Sequence, residues 1–266
     1  MSEPNESPWL LRKPVAESVR ARLFCIPHAG VGASVYRLWS SGLPGDIEVC
    51  AVQLPGRETR LREAPLTRID AIVAALLPRL EPLLDRPFAV FGHSMGAVIA
   101  VELCQALQSR GGPLPRHLLV SGRRAPHVPD PDPPLAGLSD SEFVAELNRR
   151  FGGIPAEVMN DRELMALLLP CLRADIAALE SHSPRPLRIQ CPLTVYGGTL
   201  DARAPRMHLE AWREMAQSAF RVRTFEGTHF YLNPHRGELL ADIASVLAPL
   251  TQVDQADHAR FAEPVA

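Results

Sequence analysis

The chain has 266 residues, 46% of them hydrophobic, 22% charged and 6% aromatic, with 17 glycines and 26 prolines; this is an ordinary globular composition, long enough to bury a core as one α/β domain. A formal net charge of −2 excludes a protein that holds nucleic acid or an anionic membrane by basic excess. Of the 28 basic residues only Lys13 is a lysine, in a polar, Pro-containing stretch, so Schiff-base chemistry, a phosphate-loop lysine and a Ser–Lys pair have no residue to use.

Residues 1–20 read as an N-terminal extension without the apolar run of a signal peptide. No stretch approaches the ~20 apolar residues of a membrane span, so a cytoplasmic protein with no membrane partner is expected. The cysteines (Cys25, Cys50, Cys104, Cys171 and Cys191) are odd in number, widely spaced and set among apolar residues. That pattern points to buried thiols in a reducing compartment, not to a disulfide frame or a zinc site.

From residue 21 short apolar strands alternate with longer segments of helical period, which implies a mainly parallel sheet covered by helices. The first strand, Leu23–Ile26, runs into Pro27-His-Ala29-Gly-Val31-Gly-Ala-Ser34, a small-residue turn suited to aiming a backbone amide inward. It lacks G-x-G-x-x-G, which argues against a nucleotide site. A second strand, Val49–Leu54, leads to a helix over Ile69–Leu84 in which Pro78 and Pro82 predict a kink or an early end.

The third strand, Phe88–Phe91, enters Gly92-His-Ser94-Met95-Gly96, and a helical pattern over Ala97–Leu107 follows at once. With each of its three fixed residues at roughly 7% abundance, G-x-S-x-G occurs by chance in a chain this long about one time in ten. The strand before it and the helix after it make it a nucleophile elbow, with small residues allowing strand and helix to close around an exposed Ser94 hydroxyl. The Met95 amide, next to the nucleophile, is then one oxyanion donor, and by position the Ala29 amide is the other.

After a fourth strand, His117–Ser121, the alternation breaks. A proline-rich loop is followed by two helical stretches with capping-box starts, Ser139 with Glu142 and, more loosely, Asn160 with Glu163. The second stretch, ELMALLLPCLRADIAAL, is apolar around most of its circumference and must cover something besides water: extra core, or an apolar chamber under a lid. The Arg123-Arg124 pair is readable either as a face for an acidic partner or as solvated surface.

The strand Leu193–Tyr196 ends in a glycine break before Asp201, and the strand Phe220–Phe225 ends in a loop holding His229, read as lying directly before a helix start at Asn233-Pro234. The seven histidines after Ser94 are at 117, 127, 182, 208, 229, 235 and 258. Of these His229 is the one in a strand-to-helix loop near the chain end; His208 and His235 read as helical and His258 lies in the tail. Serine, acid, histidine is the chain order of α/β-hydrolase triads, so Ser94 is assigned as nucleophile, His229 as base and Asp201 as the acid that fixes its tautomer. Asp130, Asp132 and Asp175, in the inserted segment, are less well placed, and His93 is read as a packing residue. No metal is expected, because no H-x-x-x-H or carboxylate–histidine cluster is present. The boundaries that follow are 21–122 and 186–250 for an α/β-hydrolase core, 123–185 for a helical lid and 251–266 for a frayed tail.

From about Trp9 to Leu250 the sequence resembles the type II thioesterases that accompany polyketide and nonribosomal peptide synthetases. The elements that carry the likeness include Arg22-Leu-Phe-Cys-Ile-Pro-His-Ala-Gly, Val52-Gln-Leu-Pro-Gly-Arg-Glu, Gly92-His-Ser-Met-Gly, Leu138-Ser-Asp-Ser-Glu-Phe and Phe151-Gly-Gly-Ile-Pro. Leu169-Pro-Cys-Leu-Arg-Ala-Asp175, Tyr196-Gly-Gly-Thr-Leu-Asp201 and Gly227-Thr-His229 complete it. The elbow is shared by many hydrolases, whereas Gln-Leu-Pro-Gly-Arg and Leu-Arg-Ala-Asp are far more particular. His28 and Val31 depart from it, standing where the family often has an aromatic residue and a further glycine. The resemblance implies hydrolysis of acyl groups from the phosphopantetheine thiol of carrier proteins, editing of stalled chains, a lid formed by the inserted helices, no cofactor of the enzyme's own and a monomer. Rival readings are a carboxylesterase acting on small oxygen esters, a chain-releasing thioesterase and a non-catalytic binding protein on a hydrolase fold.

Overall fold

The computed structural model describes residues 7–13, 16–184 and 188–252. Among them seven strands form one sheet: β1 Leu10–Leu11, β2 Ala21–Ile26, β3 Ile47–Val52, β4 Phe88–His93, β5 His117–Ser121, β6 Leu193–Gly198 and β7 Phe220–Phe225. Their spatial order is β1-β3-β2-β4-β5-β6-β7. β1 runs antiparallel to β3, and every other neighbouring pair is parallel. The helices are α1 Ile69–Leu80, α2 Met95–Ser109, α3 Asp140–Phe151, α4 Ala156–Asn160, α5 Arg162–Glu180, α6 Arg206–Glu210 and α7 Arg236–Thr251. The chain therefore has the α/β-hydrolase fold. None of the described helices is long and apolar enough to cross a membrane.

Helices cover both faces of the sheet, so β2, β3 and β4 are buried throughout and read in sequence as largely apolar runs; the charged exceptions, Arg22 of β2 and Glu48 of β3, pair with each other at 2.7 Å. Alternate side chains supply two cores. Phe24, Ile26 and Val90 pack with α1 and α2 on one face, while Leu23, Cys25 and Phe91 pack with Tyr36, Trp39 and α7 on the other. A third cluster joins Leu135 to Phe143 and Leu147 of α3 and to Leu172 and Ile176 of α5. This is a separate small core for the inserted helices, and it accounts for the apolar girth of α5.

The strand and helix boundaries differ from the sequence reading in instructive places. Leu10 and Leu11 pair with Val52 and Ala51 and Trp9 is buried in the main core, so part of the expected extension is an edge strand, too short to show a period. Helix α1 carries Pro78 in its last turn and stops at Leu80, and Pro82 falls in a 3-10 turn beyond it. The capping box at Ser139 and Glu142 is present. The second is not: Asp161, one residue after Asn160, caps α5 by accepting from the amides of Glu163 and Leu164, because a carboxylate is an equally good cap without the box. His235 precedes α7 as its N-cap instead of lying inside it, and the helix begins at Arg236, past Asn233-Pro234. The part of the expected tail from residue 253 onward lies outside the described residues.

The parallel register brings five strand ends to one edge. Ile26 aligns with Gly92, His93 with Ser121, Ser121 with Tyr196, and Gly198 with Phe225. The chain crosses from β3 to β4 on opposite sides of β2, which makes this carboxyl edge a topological switch point, where α/β sheets leave a crevice.

Candidate active site

Ser94 sits between β4 and α2 at φ 54°, ψ −110°, a left-handed conformation that is strained for a residue with a Cβ. It is held there by its own N–H, which donates to the Ser121 carbonyl at 2.8 Å, and by close packing. A Cβ on Gly92 would lie 2.0 Å from the Gly96 carbonyl oxygen, and one on Gly96 would lie 2.1 Å from that of Ile26. Only glycine permits both approaches, and together they press the start of α2 against the turn that leaves β2. Ser94 is thereby placed at a helix N-terminus, where amides point outward and favour developing negative charge.

Asp201 follows β6 and His229 follows β7, so adjacent parallel strands bring their loops side by side. The His229 Nδ1–H donates to Asp201 Oδ2 at 2.8 Å, with both side chains buried. The second carboxylate oxygen, Oδ1, accepts from the Arg203 amide at 2.9 Å, which fixes the plane of the carboxylate. The imidazole is enclosed by Phe151, Phe230 and His93, with ring centroids 5.2, 5.1 and 4.9 Å away.

Two further histidines line the same hollow, and neither meets a carboxylate. Burial, helped by the neighbouring His229 and His28, holds His93 well below its ordinary value. Its Nδ1 is 2.8 Å from the Ser121 hydroxyl, which is 2.6 Å from the Tyr231 hydroxyl. Burial likewise pushes His28 down to about 4, and its Nδ1–H donates to the Ala29 carbonyl at 3.0 Å. Both are neutral at pH 7, and of the three histidines only His229 meets a carboxylate, the arrangement a general base requires.

The sequence-assigned donors, Ala29 and Met95, lie on the two chain segments that Gly96 brings together. Within the described residues neither amide donates a hydrogen bond, so both are free to receive an oxyanion. Neighbouring amides of the Ala29 turn are engaged: Gly32 by Glu58 Oε1 at 3.1 Å, Ala33 by Gln53 Oε1 at 2.7 Å and Ser34 by Glu58 Oε2 at 3.2 Å.

The inserted helices lie over this edge. Phe151, the last residue of α3, faces His229, and a Cβ on Gly153 would lie 2.1 Å from the Phe230 ring. A cavity of about 290 Å³ separates the insert from α2, walled by Val98, Leu135, Phe151, Ile176 and Trp212 among others. Val98 is one helical turn beyond Ser94, so the cavity begins about 6 Å along α2 from the nucleophile.

One expectation needs correcting. Arg124 is buried and pairs with Asp130 at 2.5 Å, and the half-buried Arg123 lines the cavity; the pair is not a solvated surface or an open docking face. Asp175, set aside in the sequence as a poorly placed acid, does stand apart from His229: it forms a two-pronged ion pair with Arg57, Nη1 to Oδ2 at 2.7 Å and Nη2 to Oδ1 at 2.9 Å. Nothing in spacing links residues 57 and 175. The only signal was that each lies in one of the two particular motifs of the resemblance.

A family model described as a thioesterase domain matches residues 21–247. Gramicidin S biosynthesis protein GrsT from Aneurinibacillus migulanus is 41% identical over 246 residues, covering 91% of this chain and 96% of that protein. Thioesterase PikA5 from Streptomyces venezuelae is 37% identical over 241 residues, covering 90% and 85%. Among solved structures, the type II thioesterase BorB from the borrelidin biosynthetic cluster superposes with a TM-score of 0.82 at 36% identity, covering 92% of this chain and all of that one.

Proposed function

Because the chain belongs to the thioesterase family, and its relatives include thioesterase PikA5 and the type II thioesterase of the borrelidin biosynthetic cluster, we propose that it releases acyl groups from the phosphopantetheine thiol of acyl and peptidyl carrier proteins. In that role it clears aberrant or stalled chains during polyketide or nonribosomal peptide assembly. The observation that carries the chemistry is the 2.8 Å bond from His229 to Asp201 at the sheet edge where the elbow presents Ser94.

The reaction runs in two halves. His229, its Nδ1–H held by Asp201, has Nε2 free to take the Ser94 proton as the oxygen attacks the acyl carbonyl. The amides of Met95 and Ala29 hold the oxyanion, and as the intermediate collapses and the C–S bond breaks the imidazolium gives its proton to the departing thiolate sulfur. Water, deprotonated by the same imidazole, then attacks the acyl-serine. His229 gives its proton back to Ser94, and the acid leaves. Every bond made or broken involves substrate, Ser94, His229 or water, so no metal or cofactor is needed. The acyl chain is accommodated by the cavity between the insert and α2.

The test is steady-state hydrolysis of acetyl-, propionyl- and longer acyl-carrier thioesters beside a p-nitrophenyl ester of matched acyl length. The expected result is faster release from carriers, abolished by Ser94→Ala. Turnover of the small ester alone would leave the serine hydrolase standing and remove the carrier-protein substrate, making the chain a carboxylesterase.

A further inference from the structure

The turn that offers the Ala29 amide is built by residues that belong to no triad. Gln53 and Glu58 flank Arg57 in one loop and between them take the amides of Gly32, Ala33 and Ser34. Glu58 also accepts from the Ser34 hydroxyl at 2.6 Å, and the Gln53 side-chain amide donates to the Arg57 carbonyl at 2.9 Å. Glu58 has φ 45°, one of only two non-glycine residues at positive φ among the described residues, the other being Ser94. Strain of this kind persists where surrounding structure over-determines a conformation, and it gathers at functional sites.

Gly30, directly after Ala29, is held from the other side. Its N–H donates to Asp175 Oδ2 at 2.7 Å, the oxygen that also meets Arg57. Asp175 is carried by α5, and α5 and its cluster also pack on the turn. A Cβ on Gly30 would lie 2.3 Å from Leu172 Cδ2, and Ala29 packs against both the main core and the cluster of the inserted helices. Arg57 further donates to the Val31 carbonyl at 3.4 Å. One buried guanidinium and one buried carboxylate thus clasp the turn on either side of Gly30, 118 residues apart in sequence.

Buried ion pairs are poor stabilisers: well-packed apolar replacements are often neutral or better. A bidentate Arg–carboxylate pair does, however, impose a fixed plane and distance. Here that plane is connected by one hydrogen bond to the residue next to an oxyanion donor. We infer that Arg57 and Asp175 are positioning residues for the oxyanion: the pair sets the Gly30 peptide so that the Ala29 amide converges with that of Met95, and the donor is in place only when α5 is seated. The inference rests on the hydrolytic role of Ser94 but not on the identity of the leaving group.

The experiment compares Asp175→Asn, Arg57→Lys and the apolar double variant R57M/D175L with the wild type. Each is assayed on an acyl-carrier thioester and on a p-nitrophenyl ester, and titrated with an alkyl boronic acid, which becomes tetrahedral at the serine. Outright deletion of an oxyanion donor costs ~10²–10³ in kcat; a displaced donor should cost about 10- to 100-fold, with KM changed less than about threefold and boronate affinity falling in parallel with kcat/KM. Near-UV circular dichroism and the unfolding midpoint identify folded variants, and the apolar double variant keeps the test open should the single ones misfold. A folded double variant with wild-type kcat and boronate affinity would overturn the inference and reduce the pair to packing. Loss of kcat on the ester alone, in a protein that never hydrolyses carrier thioesters, would uphold it while removing the carrier substrate.

Discussion

Replacing Asp201 by asparagine removes one negative charge with almost no change in volume, and the surroundings determine what the amide must do. Oδ1 accepts from the Arg203 N–H at 2.9 Å, while Oδ2 receives the His229 Nδ1–H at 2.8 Å. The asparagine oxygen can serve only one of these donors. If it keeps Arg203, its NH2 faces Nδ1 and forces the proton onto Nε2, where the imidazole cannot accept from Ser94. If it turns over to serve His229, its NH2 faces the Arg203 N–H and leaves a buried donor unsatisfied, at about 1–3 kcal/mol. The competent tautomer is then a minor species by about 5- to 150-fold. The imidazolium also loses its carboxylate, which brings the expected total near the ~10⁴ known for the same change in a chymotrypsin-type triad. Stopped-flow measurement of the acylation burst with a p-nitrophenyl ester reads this directly, and thermal unfolding confirms that the fold is kept. A variant retaining more than about a tenth of the wild-type acylation rate would refute the assignment of Asp201 and the tautomer argument with it.

Gly96→Ala would place a Cβ 2.1 Å from the Ile26 carbonyl oxygen and 2.8 Å from that of Pro27, both backbone and unable to swing aside. Overpacking of about 3 kcal/mol is expected, lowering the unfolding midpoint by about 6–12 °C and separating Ser94 from Ala29; an unchanged midpoint would contradict the close approach. His28 should contribute to acid sensitivity. Burial lowers its folded pKa to about 4, so the unfolded chain binds more protons between about pH 4 and its ordinary value near 6.5, and stability falls as pH drops through that window. His28→Gln should flatten this limb in urea titrations run from pH 7 to 4, and an unaltered slope would show that His28 is not titrating there. All five cysteines are unpaired and buried, so a thiol reagent should react slowly with the native protein and with five equivalents in denaturant; fast native reaction would show that the interior opens readily.

How much of this could be read from the sequence follows from the range of the interactions. The alternation of apolar runs with helical periods identified β2 to β7 and a mainly parallel sheet, because the central strands, buried on both faces, leave a strong local signal. Ser94, Asp201 and His229 were recognisable because each sits at the carboxyl end of such a strand, where register delivers it to one edge. Leu10–Leu11 left no signal: two residues carry no period, and their pairing with β3 is tertiary. The clasp between Arg57 and Asp175 was hidden for the same reason. Its partners come from an internal loop and an inserted helix, and no spacing rule connects them. Arg124 was misjudged because charge in sequence suggests solvent, whereas the guanidinium is buried and Asp130 folds back from the surface to neutralise it.

The central claim is that an acyl group passes from a carrier thiol to Ser94 and then to water. Rapid quenching of the enzyme with an acyl-carrier thioester, followed by digestion and mass spectrometry, tests it most directly. The expected result is a transient acyl mass on the peptide containing Ser94, rising as free carrier thiol is released and decaying as acid forms. An acyl mass on another residue, or a carrier that stays acylated while Ser94 remains unmodified, would contradict it.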